Sequence, residues 1–275
     1  MTTTPVRPSE LVASRRWRGG VAAATLLLGL AGCAAPPEGG PPEGAGTAPL
    51  EGGTWAGRPI GTVPFPRPAI RRALLHLADR EWVFFGSQRV VYTAEEESIP
   101  HVGLWEDEDH ERISRVNQYW RAVGRPGITG LQCQKPWSAA FISWLMLEAG
   151  VPEFQFKPSA AHWVYLADLI EDSGEPGRYF VPRAIGAYSP RPGDLICASE
   201  EIPRARAMMG QVTPWSLQNA RAHCDLVVKS DGRVLEAIGG NVRNSVSKSI
   251  LELDSEGRLQ PVERRSWFIV LENRL

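Results

Sequence analysis

Cysteine and histidine are among the residue types in this chain that could bind a metal ion or act as nucleophile and base. The 275 residues include four Cys and five His. Zinc sites space such ligands regularly, and no spacing here has that form. The acidic run 107–109 also lacks the pattern of a calcium-binding loop. We therefore expect no metal and no cofactor. The residues are Cys33, Cys133, Cys197, Cys224, His76, His101, His110, His162 and His223.

Cys33 ends a segment typical of an export signal. Arginines between residues 7 and 18 precede an apolar run over 21–30, shorter than the roughly 20 residues of a spanning helix. Leu30-Ala31-Gly32-Cys33 resembles the lipobox of bacterial lipoproteins, in which the cysteine is acylated and becomes the new N-terminus. We expect residues 1–32 to be a signal peptide and Cys33 to be lipidated. In the lipoproteins of Gram-negative bacteria, Asp directly after the lipidated cysteine favours retention in the inner membrane. By this resemblance, Ala34 at that position implies an outer-membrane anchor facing the periplasm.

The segment after Cys33 has the composition of a linker. Residues 33–68 are rich in Pro, Gly, Ala and Glu, and the tetrad at 36–39 recurs at 41–44. Such a segment buries too little apolar surface to offset the entropy of folding, so we expect a disordered tether. Residues 69–275 suit a single domain. The net charge of −1 gives no sign of a nucleic-acid-binding surface.

Apolar residues at helical spacing predict four helices in the first half of the domain. The first covers about 70–78 and is closed by Gly86, and the second covers 109–123. The third, over 139–149, is apolar all round and should be buried. Ser159 is the predicted N-cap of the fourth helix, over 160–171.

The second half predicts strands. A turn at Pro192-Gly193-Asp194 leads into 195–198, and further strands are expected over 224–229, 234–238, 246–253 and 267–271. Helices followed by a meander predict an α+β fold, with helices packed on one face of an antiparallel sheet.

Three short stretches occur in an order that resembles a known group of enzymes. They are Pro136 to Trp144, Pro192-Gly193-Asp194-Leu195, and His223 with Ile238-Gly239-Gly240-Asn241. This order is similar to that of the papain-like cell-wall hydrolases, the NlpC-type and CHAP (cysteine- and histidine-dependent amidohydrolase/peptidase) families. The first stretch more closely resembles an uncharacterised bacterial lipoprotein domain family (domain of unknown function 2272). The resemblance implies a papain-like fold, with helices on a small antiparallel sheet, and hydrolysis of amides in the peptide part of peptidoglycan.

The resemblance also implies a catalytic set. Ser138 stands where those families have a nucleophilic Cys, His223 matches the base, and Asn241 matches the third polar residue. A nucleophile at a helix N-terminus benefits from the macrodipole and from free backbone N–H groups. A serine there needs a well-aligned base. The alternatives are that Ser138 is an ordinary first-turn residue, His223 a half-buried histidine at a strand edge, and Asn241 a turn residue.

Further residues are candidates for the same site. Cys133, five positions before Ser138, is a second candidate nucleophile. Trp137, His162 and Glu236 are candidates to line the groove. Glu236 is also a candidate to orient His223, because Gly239 occupies the position where CHAP-type sites carry Glu.

The cysteines other than Cys33 are odd in number, which in an oxidising compartment leaves a free thiol or an intermolecular bond. Cys197 and Cys224 lie on strands that would be neighbours in this fold. A disulfide between them requires that the two be in register.

The sequence is consistent with two main functions. One is a peptidoglycan amidase or endopeptidase that uses Ser138, His223 and Asn241. The other is a catalytically degenerate lipoprotein whose groove binds a cell-wall peptide or an envelope protein, which the replacement of Cys by Ser favours. A structural lipoprotein without a small ligand is a third alternative.

Overall fold

The structure, a computed structural model, describes residues 53–61, 66–260, 262 and 265–275. The predicted signal peptide, Cys33 and the tether up to residue 52 lie outside the described residues. The helices are α1 (Pro68–Phe84), α2 (His110–Ala122), α3 (Ser138–Glu148), α4 (His162–Glu171), α5 (Arg204–Met208) and α6 (Pro214–Leu217). The strands are β1 (Thr54–Trp55), β2 (Arg58–Pro59), β3 (Arg89–Tyr92), β4 (Glu97–His101), β5 (Phe180–Arg183), β6 (Leu195–Ala198), β7 (His223–Ser230), β8 (Val234–Val242), β9 (Ser245–Glu252) and β10 (Trp267–Asn273).

The main sheet has eight strands in the order β4-β3-β9-β8-β7-β6-β10-β5. All neighbours are antiparallel except β3 and β9, which run parallel. The α+β class is therefore confirmed, but the prediction of a small antiparallel sheet is wrong. The sequence analysis missed β3, β4 and β5, because these are strands of four or five residues without a clear alternation of apolar and polar side chains.

Helix α3 is the buried centre of the helical layer. All its residues from Ser138 to Met146 are buried, as the apolar sequence predicted. It packs on α2 and on strands β7 and β8. A Cβ at Gly240 in β8 would lie 2.5 Å from Cβ of Phe141 and 2.6 Å from the Trp137 ring. Glycine at this position therefore lets the start of α3 lie directly against the sheet.

Strands β6 and β7 are joined by a disulfide. Cys197 and Cys224 are directly opposite each other in the antiparallel register, with Cα atoms 4.1 Å apart, and their sulfur atoms are bonded. In the same register His223 is opposite Ala198 and Asp225 is opposite Ile196. The disulfide thus fixes the alignment of the strand that carries His223.

The predicted tether extends too far along the chain. Strands β1 and β2 form a hairpin within it, and Trp55 and Ile60 are 4% and 5% exposed. The indole N–H of Trp55 donates to the Val212 carbonyl (2.8 Å). Two apolar side chains close in sequence are enough to anchor this short segment, although its average composition is that of a linker.

Helix α4 begins later than predicted. Its N-cap is Ala161, whose side chain cannot cap, and the predicted cap Ser159 instead accepts a hydrogen bond from the Ala161 N–H (3.2 Å). This places His162 at the first position of the helix. Among the described helices, none combines the length and the apolar composition needed to cross a bilayer.

Candidate active site

A cleft of about 610 Å³ opens beside the N-termini of α3 and α4 and the start of β7. Its volume is within the usual range of ligand-binding pockets. Small side chains form much of its wall, and the side chains that could do chemistry are gathered within it. The lining residues include Ser138, Ala139, Ala160, Ala161, His162, Trp163, Ala198, Glu201, Ala220, Arg221, Ala222, His223, Asn241 and Arg265.

Ser138 is the first residue of α3, and its side chain borders the cleft although the residue is only 6% exposed. Its Oγ is hydrogen-bonded to Nε2 of His162 at 2.6 Å. No side chain of the described residues caps the first turn of α3. The backbone N–H groups at the start of a helix lack intrahelical partners, so those of Ser138 and Ala139 are suited to receive a developing negative charge.

His162 links Ser138 to a buried tyrosine. Its Nδ1 is hydrogen-bonded to the hydroxyl of Tyr165, which lies one turn further along α4. His162 is 4% exposed and Tyr165 is completely buried. Burial, followed by the nearby His223, holds the pKa of His162 well below its ordinary value, so the ring is neutral. Burial, followed by the Asp225 charge, raises the pKa of Tyr165 well above its ordinary value.

His223 lies at the start of β7, with its ring centroid 5.5 Å from that of His162. Its Nε2 is 2.6 Å from Oδ1 of Asp225, two residues further along the strand. Residues at i and i+2 of a strand point to the same face, so β7 itself presents both side chains to the cleft side. This His-x-Asp spacing is the sequence signal that could have identified Asp225, which the sequence analysis did not select.

Asp225 is held in its ionised form. The residue is fully buried, and its Oδ2 accepts a hydrogen bond from the Ser249 hydroxyl (3.1 Å). Burial alone would raise the pKa of its carboxyl, but His223, followed by Arg265 and Ser249, outweighs burial and leaves the pKa below its ordinary value. An ionised carboxylate only accepts hydrogen bonds. Nε2 of His223 therefore carries the hydrogen, and Nδ1 is left as the ring's acceptor.

Arg265 supplies the positive charge that balances Asp225. Its guanidinium donates twice to the Tyr92 hydroxyl, at 3.1 and 3.0 Å, and the residue borders the cleft. Burial would lower the pKa of Arg265, but the Asp225 charge, followed by the Tyr92 oxygen that accepts its hydrogen bonds, outweighs burial and raises it. The sequence analysis missed Arg265 because it precedes β10 with no motif around it.

Gly239 explains how Asp225 can orient His223 from the same strand. A Cβ at Gly239, on the neighbouring strand β8, would lie 1.7 Å from Oδ1 of Asp225 and 3.1 Å from Nε2 of His223. The Asp225 carboxylate therefore occupies the space that a side chain at position 239 would fill.

The prediction that Glu236 orients His223 or lines the groove is wrong. Glu236 forms ion pairs with Lys229 (3.1 Å) and Lys248 (3.5 Å) and does not border the cleft.

The other predicted site residues have mixed outcomes. Asn241 borders the cleft in a left-handed conformation (φ 57°) at a register shift in β8, but Asp225, not Asn241, contacts His223. Trp137 is not a groove residue. It is 1% exposed, its indole N–H donates to the Glu106 carboxylate, and its ring stacks on Tyr119. Trp137 is the N-cap of α3, and its ring points into the aromatic core.

Cys133 is not positioned to be the nucleophile. It is exposed and does not border the cleft. Its Sγ lies 3.5 Å from Oδ2 of Asp107. Partial desolvation by neighbouring atoms, followed by the Asp107 carboxylate, raises the pKa of the thiol. A reactive thiol needs a lowered pKa, so the carboxylate neighbour works against reactivity.

Comparison with known proteins gives one family. Residues 105–273, more than half of the chain, match DUF2272, described as uncharacterised proteins conserved in bacteria. The matched region includes every residue of the Ser138–His162–His223–Asp225 cluster. No curated protein and no solved structure matches the chain. The chain therefore belongs to the DUF2272 family.

Proposed function

We propose that this protein is an envelope lipoprotein whose domain hydrolyses amide bonds in the peptide part of peptidoglycan, with Ser138 as the nucleophile. One observation carries the proposal. The Ser138 hydroxyl, at the N-terminus of the buried helix α3, is hydrogen-bonded to one histidine and shares a cleft with a second, His223, which an ionised Asp225 orients. Nucleophile, base and orienting carboxylate are the parts that acyl transfer to water requires.

In the proposed reaction, Oγ of Ser138 attacks the carbonyl carbon of the amide, and its hydrogen passes to Nδ1 of His223. The C–N bond then breaks as His223 returns the proton to the departing amine, which leaves an ester on Ser138. Water, losing a proton to His223, attacks this ester, and Ser138 leaves with that proton. One amide and one water thus become a carboxylic acid and an amine.

Asp225 and the start of α3 support the charges that form in this sequence. The carboxylate stabilises the imidazolium of His223 and keeps its Nδ1 available as a base. The backbone N–H groups of Ser138 and Ala139 are the candidate donors to the oxyanion. A serine must lose its proton as it attacks. An oriented base and oxyanion donors are therefore what Ser138 needs in the place of the nucleophilic cysteine of the papain-like hydrolases.

The papain-like fold belongs to the same proposal. A nucleophile at the start of a central buried helix, packed on a strand that begins with the base, supports it. The orienting group departs from that pattern, since it lies on the strand of the histidine and not on the next one. The eight-stranded sheet is also larger than the resemblance implied.

Three features support an envelope location and a cell-wall substrate. The disulfide between Cys197 and Cys224 is of the kind that persists in oxidising compartments. The lipobox-like Leu30-Ala31-Gly32-Cys33 would anchor the domain in the outer membrane facing the periplasm, where peptidoglycan is found. A wall of small alanines leaves the cleft open to an extended peptide.

A second candidate function is binding without catalysis. It is favoured by the low exposure of Ser138, 6%, and by the involvement of its hydroxyl with a buried, neutral histidine. In that case the cleft would hold a cell-wall peptide or a segment of an envelope protein without cutting it.

The test incubates the full-length protein in detergent with purified sacculi and with short muropeptides, and follows new muropeptides and new amines by mass spectrometry. We expect turnover by the wild type and its loss in Ser138→Ala and His223→Ala. Asp225→Asn should lower kcat by about 10³- to 10⁴-fold, because the amide no longer holds the required tautomer.

Ser138→Cys separates the two functions. Activity in this variant with none in the wild type would mean a scaffold that has lost its nucleophile, and would support binding. Unchanged turnover in Ser138→Ala would overturn the serine mechanism. Circular dichroism of each variant shows whether it is folded.

A further inference from the structure

The cluster holds two histidines, but the proposed reaction needs a single base. His162 contacts the Ser138 hydroxyl directly, whereas His223 has the carboxylate partner. The two rings also differ in environment, because His162 is buried at 4% exposure and His223 is half-buried. The roles of the two rings follow from counting the hydrogens that their contacts require.

A neutral imidazole has one N–H donor and one acceptor nitrogen. Both nitrogens of His162 are engaged, Nε2 with Ser138 and Nδ1 with the Tyr165 hydroxyl. If the hydrogen were on Nδ1, it would point at the Tyr165 oxygen. The hydroxyl hydrogen of this fully buried tyrosine would then lack an acceptor, because among the described residues its hydroxyl is hydrogen-bonded to His162 alone. Leaving a buried donor without a partner is unfavourable, because its desolvation is not compensated.

If the hydrogen is on Nε2, both buried donors, the Tyr165 hydroxyl and His162 Nε2–H, have acceptors. Tyr165 donates to Nδ1, and Nε2–H donates to Oγ of Ser138. The Ser138 hydrogen is then turned away from His162, towards the cleft that Ser138 and His223 both border. Among the described residues no carboxylate is hydrogen-bonded to His162, whereas an imidazolium at His223 has Asp225 at 2.6 Å.

We propose that His162 is a neutral hydrogen-bond donor, fixed in its Nε2–H tautomer by Tyr165, and that it positions the Ser138 oxygen so that the serine hydrogen faces His223. His162 is then a positioning residue and not the base. As Ser138 loses its proton, the same N–H supports the charge that develops on Oγ. The role in turnover rests on the proposed hydrolase function, but the tautomer does not.

The tautomer is measured directly by ¹⁵N NMR of the full-length protein in detergent, labelled at histidine. The His162 signals are assigned by their absence in His162→Gln. We expect Nδ1 to have the shift of an unprotonated acceptor and Nε2 that of an N–H nitrogen. The reverse pattern overturns the proposal, whether or not the protein is active. Tyr165→Phe, which removes the donor to Nδ1, should abolish the preference.

Kinetics on muropeptides distinguish donor from base. Gln at position 162 can donate through its amide nitrogen but cannot accept a proton, so we expect His162→Gln to keep kcat within about 10-fold of the wild type. His162→Ala should lower kcat by about 10²- to 10³-fold, as for other lost donors to a reacting oxygen. Equal loss in both variants, with both folded, would show His162 to be the base and overturn the proposal. If the wild type is inactive, the hydrolase function fails while the NMR result still decides the tautomer.

Discussion

At the residue scale, the site depends on the lack of a side chain at Gly239. The Asp225 carboxylate fits beside His223 because position 239 on the neighbouring strand is glycine. Gly239, at the position where CHAP-type sites carry Glu, indicated in the sequence that an orienting acid must come from elsewhere, with Glu236 as the candidate. The structure shows that the acid lies on the strand of the histidine and that the glycine makes room for it.

Gly239→Ala should therefore disturb the site more than the fold. The added methyl group would lie 1.7 Å from Oδ1 of Asp225, so the carboxylate must move from His223. We expect kcat on muropeptides to fall by about 10²-fold or more, within the range for loss of an orienting group. Gly127→Ala is the matched control, because a Cβ there meets no atom within 4 Å and activity should be unchanged. Equal activity in both variants would contradict the assignment of Asp225.

At the element scale, the Pro192-Gly193-Asp194 turn joins β6 to the end of β10. Oδ1 of Asp194 accepts from the Asn273 N–H (2.8 Å), and Oδ2 accepts from the Arg191 N–H (2.7 Å) and the Tyr188 hydroxyl (3.0 Å). Burial outweighs these donors and raises the pKa of Asp194 to about 7. This turn thus holds a carboxyl whose ionisation opposes folding.

The raised pKa of Asp194 determines how the free energy of unfolding changes with pH. Because the pKa of Asp194 is higher in the folded than in the unfolded protein, its stabilising contribution is complete below about pH 4. It is lost as the pH rises to about 7, at up to about 1.4 kcal/mol per pH unit. Urea unfolding between pH 4 and 8 should show this slope in the wild type and a flatter one in Asp194→Asn. Parallel curves would contradict it.

At the scale of the whole molecule, the domain extends N-terminally to include the hairpin of β1 and β2. Trp55 packs under Gly210, where a Cβ would lie 3.1 Å from its ring. The Gly61 carbonyl accepts from the buried Arg274 (2.7 Å). The hairpin thus ties the start of the described chain to its C-terminal end.

Trp55→Ala should lower the free energy of unfolding by about 3–5 kcal/mol, as for other buried aromatic side chains. The neighbouring Thr54 is exposed, and Thr54→Ala should change it by no more than about 0.5 kcal/mol. Far-UV circular dichroism in urea measures both without relying on tryptophan fluorescence. Equal stabilities would mean that residues before 66 belong to the tether after all.

The sequence by itself determined the elements with strong local patterns. The apolar run of α3, the amphipathic α2, and strands β6 to β10 were predicted within a few residues, because their periodicity and turn residues act locally. Short motifs resembling those of papain-like hydrolases also made Ser138 and His223 candidate site residues, and both border the cleft. A disulfide between Cys197 and Cys224 depended on the register of their strands. The register places the two cysteines opposite each other, and they are bonded.

The tertiary structure decided which side chains meet. Asp225 orients His223 because the adjacent strand has no side chain at Gly239, and His162 reaches Ser138 because the start of α4 lies against the start of α3. Trp137 and Glu236 were excluded from the cleft by core packing and by ion pairing with Lys229 and Lys248. These are contacts between residues distant in sequence, and local patterns do not specify them, because they depend on how helices and strands pack together.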